Sequence, residues 1–249
     1  MSASAAHRRL ALRLLPLLDL TSLGEDDTPA GIDRLCESAL RIDPRPAAVC
    51  VFPEHVTGAS RALVGSGVRI ATVVNFPDGG DDAARVARET RRAIAAGADE
   101  VDMVLPWRAL LAGRVDDAEA AVRACRDACG DRVCLKLILE TGELRGVELI
   151  GVASRIGLDA GVDFLKTSTG KVAVNATLEA AGEMLTAISE AGGRCGLKVA
   201  GGIRSLEDAS AYLALVESRM GADWIGPAHF RIGASALFTE LRAALGADA

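Results

Sequence analysis

Four lysines, Lys136, Lys166, Lys171 and Lys198, fall within one quarter of a 249-residue chain whose 28 basic residues are otherwise all arginine. At least three of them interrupt apolar runs: Cys134-Leu-Lys136-Leu-Ile-Leu, Phe164-Leu-Lys166 and Gly196-Leu-Lys198-Val-Ala. Arginine stays protonated, whereas a desolvated lysine can lose its proton and become a nucleophile. A chain that uses arginine wherever any positive charge serves would keep lysine where that difference matters. Lys166 and Lys198 occupy consecutive strand-like segments, so burial and a neighbouring like charge would both favour a neutral amine. Such an amine attacks carbonyls and forms a Schiff base. The competing reading is lysines held in structural ion pairs. Asp102, in Glu100-Val-Asp102-Met-Val-Leu-Pro, also breaks an apolar run. It needs a cation beside it, which Lys198 or Lys136 could supply. It is either a proton shuttle for a lysine amine or a plain ion-pair partner, and the pattern alone does not separate the two. Lys136 alternates with Leu135 and Leu137, with Glu140 on its own face, and Asp19 stands at the end of the first strand-like run.

A second group of residues suits a phosphate. Gly201-Gly202-Ile-Arg204 follows a strand-like run, and Ser205-Leu-Glu-Asp208 then reads as a helix cap. Gly233-Ala-Ser235-Ala follows the last strand-like run and opens the last helix. Glycines let backbone N–H groups approach an anion, and a helix N-terminus favours negative charge. Thr169-Gly170-Lys171 could close the same site.

Other chemistries are poorly supplied. The three histidines, His7, His55 and His229, form no pair at metal-ligand spacing, and no metal site is expected. No Ser-His-Asp set and no dinucleotide-binding glycine fingerprint stands out, so no cofactor is expected. The six cysteines form no C-x-x-C pair and read as reduced, mostly buried thiols of a cytoplasmic protein. Cys50, in a strand-like run, could line a site. The net charge of −6 argues against nucleic acid as a partner. The apolar stretch after Arg8-Arg9 is interrupted by Arg13, Pro16 and Asp19, and reads neither as a signal peptide nor as a membrane span.

Short apolar runs that could carry these groups recur along the chain, at 14–20, 47–52, 69–76, 100–105, 133–139, 164–168, 196–200 and 224–227. Between them lie Ala-, Leu-, Arg- and Glu-rich stretches at helical spacing: 32–40, 54–64, 81–96, 116–128, 147–160, 178–191 and 206–216, with 234–245 at the end and a short extra helix at 3–13. Alternating strands and helices predict a parallel sheet covered by helices. Eight such units in about 250 residues match a (β/α)8 TIM barrel, expected here as one domain over residues 1–249. A doubly wound open sheet is the alternative. An internal echo supports repetition: Ala96-Gly-Ala-Asp99, Ala160-Gly-Val-Asp163 and Met220-Gly-Ala-Asp223 each read as closing a helix and opening a strand. Five residues after each glycine stand Asp102, Lys166 and Gly226. Half the residues are apolar but only 3 % are aromatic, so the core is expected to be aliphatic.

At these residues the sequence resembles the deoxyribose-phosphate aldolases, a class I, Schiff-base-forming family of (β/α)8 barrels. The likeness runs from Leu18-Asp19-Leu-Thr21 through Val49-Cys50-Val-Phe-Pro53, Ala71-Thr-Val-Val-Asn-Phe-Pro77, Gly97-Ala-Asp-Glu-Val-Asp102 and Leu135-Lys-Leu-Ile-Leu-Glu-Thr-Gly-Glu-Leu144 to Gly233-Ala-Ser235. Its most specific part is Lys166-Thr-Ser-Thr-Gly-Lys171 with Val172-Ala-Val-Asn-Ala-Thr177. The resemblance implies a lyase of deoxyribose phosphate catabolism. It would reversibly cleave 2-deoxy-D-ribose 5-phosphate to D-glyceraldehyde 3-phosphate and acetaldehyde, without a metal. Lys166 matches the Schiff-base lysine. Lys198 matches the lysine that perturbs it and works with Asp102 in proton transfer. Lys136, Asp19, Thr21, Cys50 and Thr169 match supporting positions. Gly170, Lys171, Gly201, Gly202, Arg204, Gly233 and Ser235 match the phosphate region. Relatives are often dimers, so a homodimer is an expectation drawn from the resemblance alone. Three departures stand out: Val199 where many relatives have proline, Ala236 where some have a second serine, and no C-terminal tyrosine, Tyr212 being the only one. A Schiff-base aldolase for another sugar phosphate and a non-catalytic sugar-phosphate-binding barrel are the alternatives; the presence of Lys166 speaks against the second.

Overall fold

A computed structural model describes residues 3–144 and 146–246. The residues after 246, where a C-terminal tyrosine would stand in some relatives, lie outside the described residues. Eight parallel strands close into a barrel in sequence order: β1 (Leu18–Thr21), β2 (Ala48–Val51), β3 (Arg69–Val74), β4 (Glu100–Val104), β5 (Cys134–Ile138), β6 (Phe164–Lys166), β7 (Gly196–Ala200) and β8 (Phe230–Ala234). Pairing of Asp19 with Gly233 joins the last strand to the first, which excludes an open sheet. Around the barrel run α1 (Ala3–Leu14), α2 (Pro29–Leu40), α3 (Val56–Ala62), α4 (Ala83–Ala95), α5 (Trp107–Leu111), α6 (Val115–Cys129), α7 (Val147–Asp159), α8 (Leu178–Glu190), α9 (Leu206–Met220) and α10 (Ala236–Leu245).

The strands alternate rather than run continuously apolar. Outward residues such as Val49, Val101, Leu135, Leu137, Leu165, Leu197, Val199 and Ile232 pack with the helices into one large, mainly aliphatic core. The inward residues differ by side. Beneath β2 and β3 they are small and apolar: Ala48, Cys50, Ala71 and Val73. On the remaining strands they include Asp19, Glu100, Asp102, Lys136, Lys166, Lys198 and Arg231, all buried. The period of two along a strand sends the apolar set outward and the charged set inward.

Two sequence expectations change. Residues 14–17, expected within the first strand, end α1 and form a 3-10 turn, Leu15–Leu17, with Pro16 in it. Residues 224–227 are not the eighth strand. Trp224 ends a 3-10 turn, donates its indole N–H to the Gly193 carbonyl at 2.8 Å and stacks on His229. The strand comes later, at Phe230-Arg-Ile-Gly-Ala, whose charged second residue hides it from an apolar-run search. The third member of the internal echo therefore fails. The residue that lies in register with Lys198 on β8 is Arg231, not Gly226, and Gly233 lies within β8 rather than after it.

Candidate active site

Parallel register sets three cations side by side. Lys166 pairs with Lys198, and Lys198 with Arg231. Like charges on neighbouring strands repel, so carboxylates from across the barrel must reach them. Asp102 does so from β4. Its Oδ2 accepts from Lys166 Nζ and from Lys198 Nζ, each at 2.7 Å, and its Oδ1 accepts from Lys136 Nζ at 2.8 Å. Asp19 does so from β1. It accepts from Lys198 Nζ at 2.5 Å and from Arg231 Nη1 at 2.6 Å. Glu100, two residues before Asp102, pairs with Lys136 at 2.5 Å and accepts from Arg231 Nη2 at 3.2 Å.

The charges set one another's protonation. Burial works against the ammonium of Lys198, but Asp102 and Asp19 outweigh it and hold this amine charged. The same balance, with Asp102 and Glu100, holds Lys136 charged. Lys166 is different. Burial is the largest influence and lowers its affinity for a proton; Asp102 opposes this, and Lys198 adds to it. Burial alone would raise Asp102, but Lys136, Lys166 and Lys198 take it well below the usual carboxylate range. Asp19 is depressed in the same way, Lys198 and Arg231 overcoming burial. The expectation that both Lys166 and Lys198 lose a proton is thus corrected. Of the two, only Lys166 has its hold on a proton lowered, because Lys198 meets two carboxylates and Lys166 shares one. Burial pushes the Cys50 thiol up, so it lines the inner wall as an uncharged group.

Lys166, although buried, also borders a cavity. It lies at the floor of a cavity of about 500 Å³ at the C-terminal ends of the strands. The walls come from four loops and take in Thr21, Thr169, Gly170, Lys171, Gly201, Gly202, Arg204, Gly233 and Ser235. All the expected phosphate residues are therefore brought together there, with Lys166 beneath them. Asp19, Asp102, Lys136, Lys198 and Cys50 lie under this floor, inside the barrel. The cavity has cationic side chains in Lys171 and Arg204. Lys171 Nζ donates to the Leu23 carbonyl at 2.7 Å, which draws the β1 and β6 loops together.

The two helix N-termini at this face are not equivalent. Ser205 and Asp208 form a capping box on α9, and Asp208 also accepts the Arg204 N–H at 2.9 Å. Those amides are occupied. Ser235 makes no side-chain cap on α10, so no capping side chain occupies its first turn, although the Phe238 N–H donates to the Ser235 carbonyl at 3.1 Å. Gly201 adds a close approach: it has φ +87°, and a Cβ there would sit 2.6 Å from Asn175 Cβ. Gly201→Ala is expected to lower stability by about 1–3 kcal/mol, read as a reduced denaturant midpoint at unchanged m-value.

Sequence reasoning missed Arg231 and Glu100. Arg231 went with the misplaced eighth strand. The alternation Glu100-Val-Asp102 puts both carboxylates on one strand face and could have found Glu100. Glu140, noted on the face of Lys136, has φ +58°. Its carboxylate accepts from the Thr169 N–H at 3.1 Å and the Thr169 hydroxyl at 2.5 Å. It therefore fixes the loop that carries Thr169 and Lys171. Among the described residues, no three His, Cys, Asp or Glu side chains are grouped to hold a metal ion. No described helix is long and apolar enough to cross a membrane. All six cysteines are free thiols.

The family model for DeoC/LacD family aldolases matches residues 14–237. The chain belongs to the DeoC/LacD aldolase family. As a member it is a lyase of the aldolase type on a (β/α)8 barrel. Solved structures agree. The apo form of a protein from Toxoplasma gondii ME49, provisionally assigned as a deoxyribose-phosphate aldolase, is 27 % identical with a TM-score of 0.89, over 98 % of this chain and 99 % of that one. A protein from Coccidioides immitis with the same provisional assignment is 30 % identical, with a TM-score of 0.82, over 94 % of this chain and 86 % of its own. The deoxyribose phosphate aldolase of Aeropyrum pernix, a tetramer, shares the fold at 23 % identity and a TM-score of 0.77, over 98 % of each chain.

Proposed function

We propose that this DeoC/LacD family aldolase reversibly cleaves 2-deoxy-D-ribose 5-phosphate into D-glyceraldehyde 3-phosphate and acetaldehyde through a Schiff base on Lys166, without a metal. The observation that carries the reading is a buried lysine, its hold on a proton lowered by burial, at the floor of a cavity whose rim can hold a phosphate. The neutral Lys166 amine adds to the C1 aldehyde of the open-chain sugar. The carbinolamine hydroxyl takes a proton from the charged Lys198 and leaves as water, giving the iminium. A base removes the C3 hydroxyl proton, the C2–C3 bond breaks, and its electron pair flows into the iminium. Glyceraldehyde 3-phosphate departs and the enamine of acetaldehyde remains. Protonation at C2 and hydrolysis release acetaldehyde and restore the amine. Asp102, ionised and shared between Lys166 and Lys198, is the group through which protons return to Lys198. Lys171, Arg204, the Gly201-Gly202 amides and the uncapped α10 N-terminus hold the phosphate, with Gly170, Gly233 and Ser235 shaping that rim. Thr21 and Thr169 offer hydroxyls to the sugar.

The direct test is glyceraldehyde 3-phosphate release from 2-deoxyribose 5-phosphate, with and without a chelator, beside a panel of other sugar phosphates. Release that is insensitive to chelator and fastest for deoxyribose 5-phosphate is expected. Preference for another sugar phosphate would overturn the substrate, and loss of activity on chelation would overturn the metal-free mechanism. The lowered proton affinity of Lys166 also fixes a sign. The reactive amine should become available as pH rises, with an inflection below the ordinary lysine value of about 10.4. Borohydride trapping of acetaldehyde across pH reads this. An inflection at the ordinary lysine value would rule out a perturbed amine.

A further inference from the structure

We propose that Arg231 and Glu100, which lie beneath the catalytic floor, are positioning residues that decide through the buried charge count how readily Lys166 gives up its proton. The inference rests on Lys166 being the Schiff-base lysine.

Neither residue lines the cavity above Lys166. Both line a separate opening of about 350 Å³ at the N-terminal end of the barrel, with Arg69, Asp99, Arg132 and Asp163. Arg69 is paired there with Asp99, and Arg126 with Asp163. From Arg231 two routes lead to Asp102. One runs through Asp19 and Lys198, the other through Glu100 and Lys136. Every step is an ion pair between buried side chains. The Arg231 guanidinium also lies over the Phe164 ring and donates to the Pro227 carbonyl, so its place is fixed from several sides.

The network holds four cationic side chains, Lys136, Lys166, Lys198 and Arg231, against three carboxylates, Asp19, Glu100 and Asp102. A buried net charge is costly, and a group that can neutralise itself does so. Arginine cannot lose its proton. Lys136 lies within 4 Å of three carboxylates and Lys198 contacts two, whereas Lys166 contacts one and shares it. Lys166 is therefore the group that yields. Other groups near it stand outside the ion-paired network. Cys50, from β2, is held as a thiol by burial. Glu140, after β5, is buried and close enough to Lys166 for their charges to interact, but it accepts from the Thr169 N–H and hydroxyl and is in no ion pair with the network. Lys171 sits at the rim with its ammonium on the Leu23 carbonyl. Arg231 is thus the fixed charge that makes Lys166 the surplus cation, and Glu100 is the carboxylate that limits the surplus to one.

The two residues should act with opposite sign. Arg231→Gln leaves three lysines against three carboxylates, so Lys166 keeps its proton. The pH profiles of borohydride trapping and of kcat/KM should move to higher pH by about one unit or more, a loss of roughly tenfold or more below the inflection. Glu100→Gln enlarges the surplus and should move both profiles to lower pH. The double variant restores a surplus of one, and its inflection should return toward that of the parent although both side chains are gone. A purely structural role would lower amplitude without moving the inflection, and would make the double variant the worst of the three. Unmoved profiles in the single variants, or a double variant that keeps the Arg231→Gln inflection, would overturn the proposal. If Arg231→Gln does not fold, Glu100→Gln alone decides by the direction of its shift. Mass spectrometry of the trapped parent protein separates the two levels. No adduct on Lys166 there would sink the Schiff-base reading itself, whatever the variants do.

Discussion

Lys166→Arg is expected to abolish the borohydride-stabilised two-carbon adduct formed with acetaldehyde and to lower turnover by on the order of 10,000-fold or more, as loss of the nucleophile does in other covalent enzymes. Arginine keeps the positive charge and much of the length, so the pair with Asp102 could survive. What it cannot do is present a neutral amine. Among the lysines of the buried network, Lys166 is the one whose hold on its proton is lowered rather than raised. Lys136 and Lys198, with more carboxylate contacts, stay charged and cannot substitute as nucleophiles. A trapped adduct in Lys166→Arg, located on Lys198 or elsewhere, would refute the assignment. Measuring the adduct and the rate together also distinguishes loss of chemistry from loss of fold, which circular dichroism of the same sample reports.

Asp102→Asn is expected to cost about 3–5 kcal/mol of stability and to suppress activity with it. Removing one partner of a buried ion pair leaves the others uncompensated. Here the partners are three: Lys136, Lys166 and Lys198 all donate to this one carboxylate. An amide presents one carbonyl oxygen and two N–H groups to them, so at least one ammonium would face a donor. Chemical denaturation of parent and variant reads the effect, and a change within about 1 kcal/mol would show that the lysines find other partners. The same network sets the response of the parent to pH. Asp19 and Asp102 are depressed in the folded protein, so their contribution is complete above the unfolded value of about 3.9 and is lost as pH falls through the lower folded values. Lys136 and Lys198 are raised, so theirs is complete below about 10.4 and is lost as pH rises through the higher folded values. Within those limits Lys166 adds a dependence of its own: its folded value is lowered, so the unfolded chain binds the extra proton and stability rises with pH from that folded value up to about 10.4.

The Val199 departure has a local reading. Val199 lies in β7 with its side chain in the outer aliphatic core, not at the cavity. The Ala236 departure does face the site. Ala236 lines the cavity at the start of α10, where no side chain caps the helix, so a serine there would add one hydroxyl to that rim.

The amino-acid sequence by itself determined the barrel, and it singled out the candidate lysines and the glycine-bearing loops that the fold gathers at one end. These are local properties. An apolar run, a helical period and a glycine pair announce themselves within a few residues, and seven of the eight strands lie where such runs predict. Scarcity of lysine did the rest, because a chain rich in arginine exposes the positions where arginine fails. The tertiary structure decided the protonation states. Lys198 reads from the sequence as a second amine poised to lose its proton. In the fold it is held charged by Asp19, 179 positions away, and by Asp102. Arg231 and Glu100 are 131 positions apart and meet only because the barrel closes. Proton affinity depends on every charge within a few ångströms in a dry interior, and no local pattern records which strands will face one another across it. The lysine proposed to react could be picked out from the sequence. What distinguishes it from its neighbour is how many carboxylates the closed barrel brings to each.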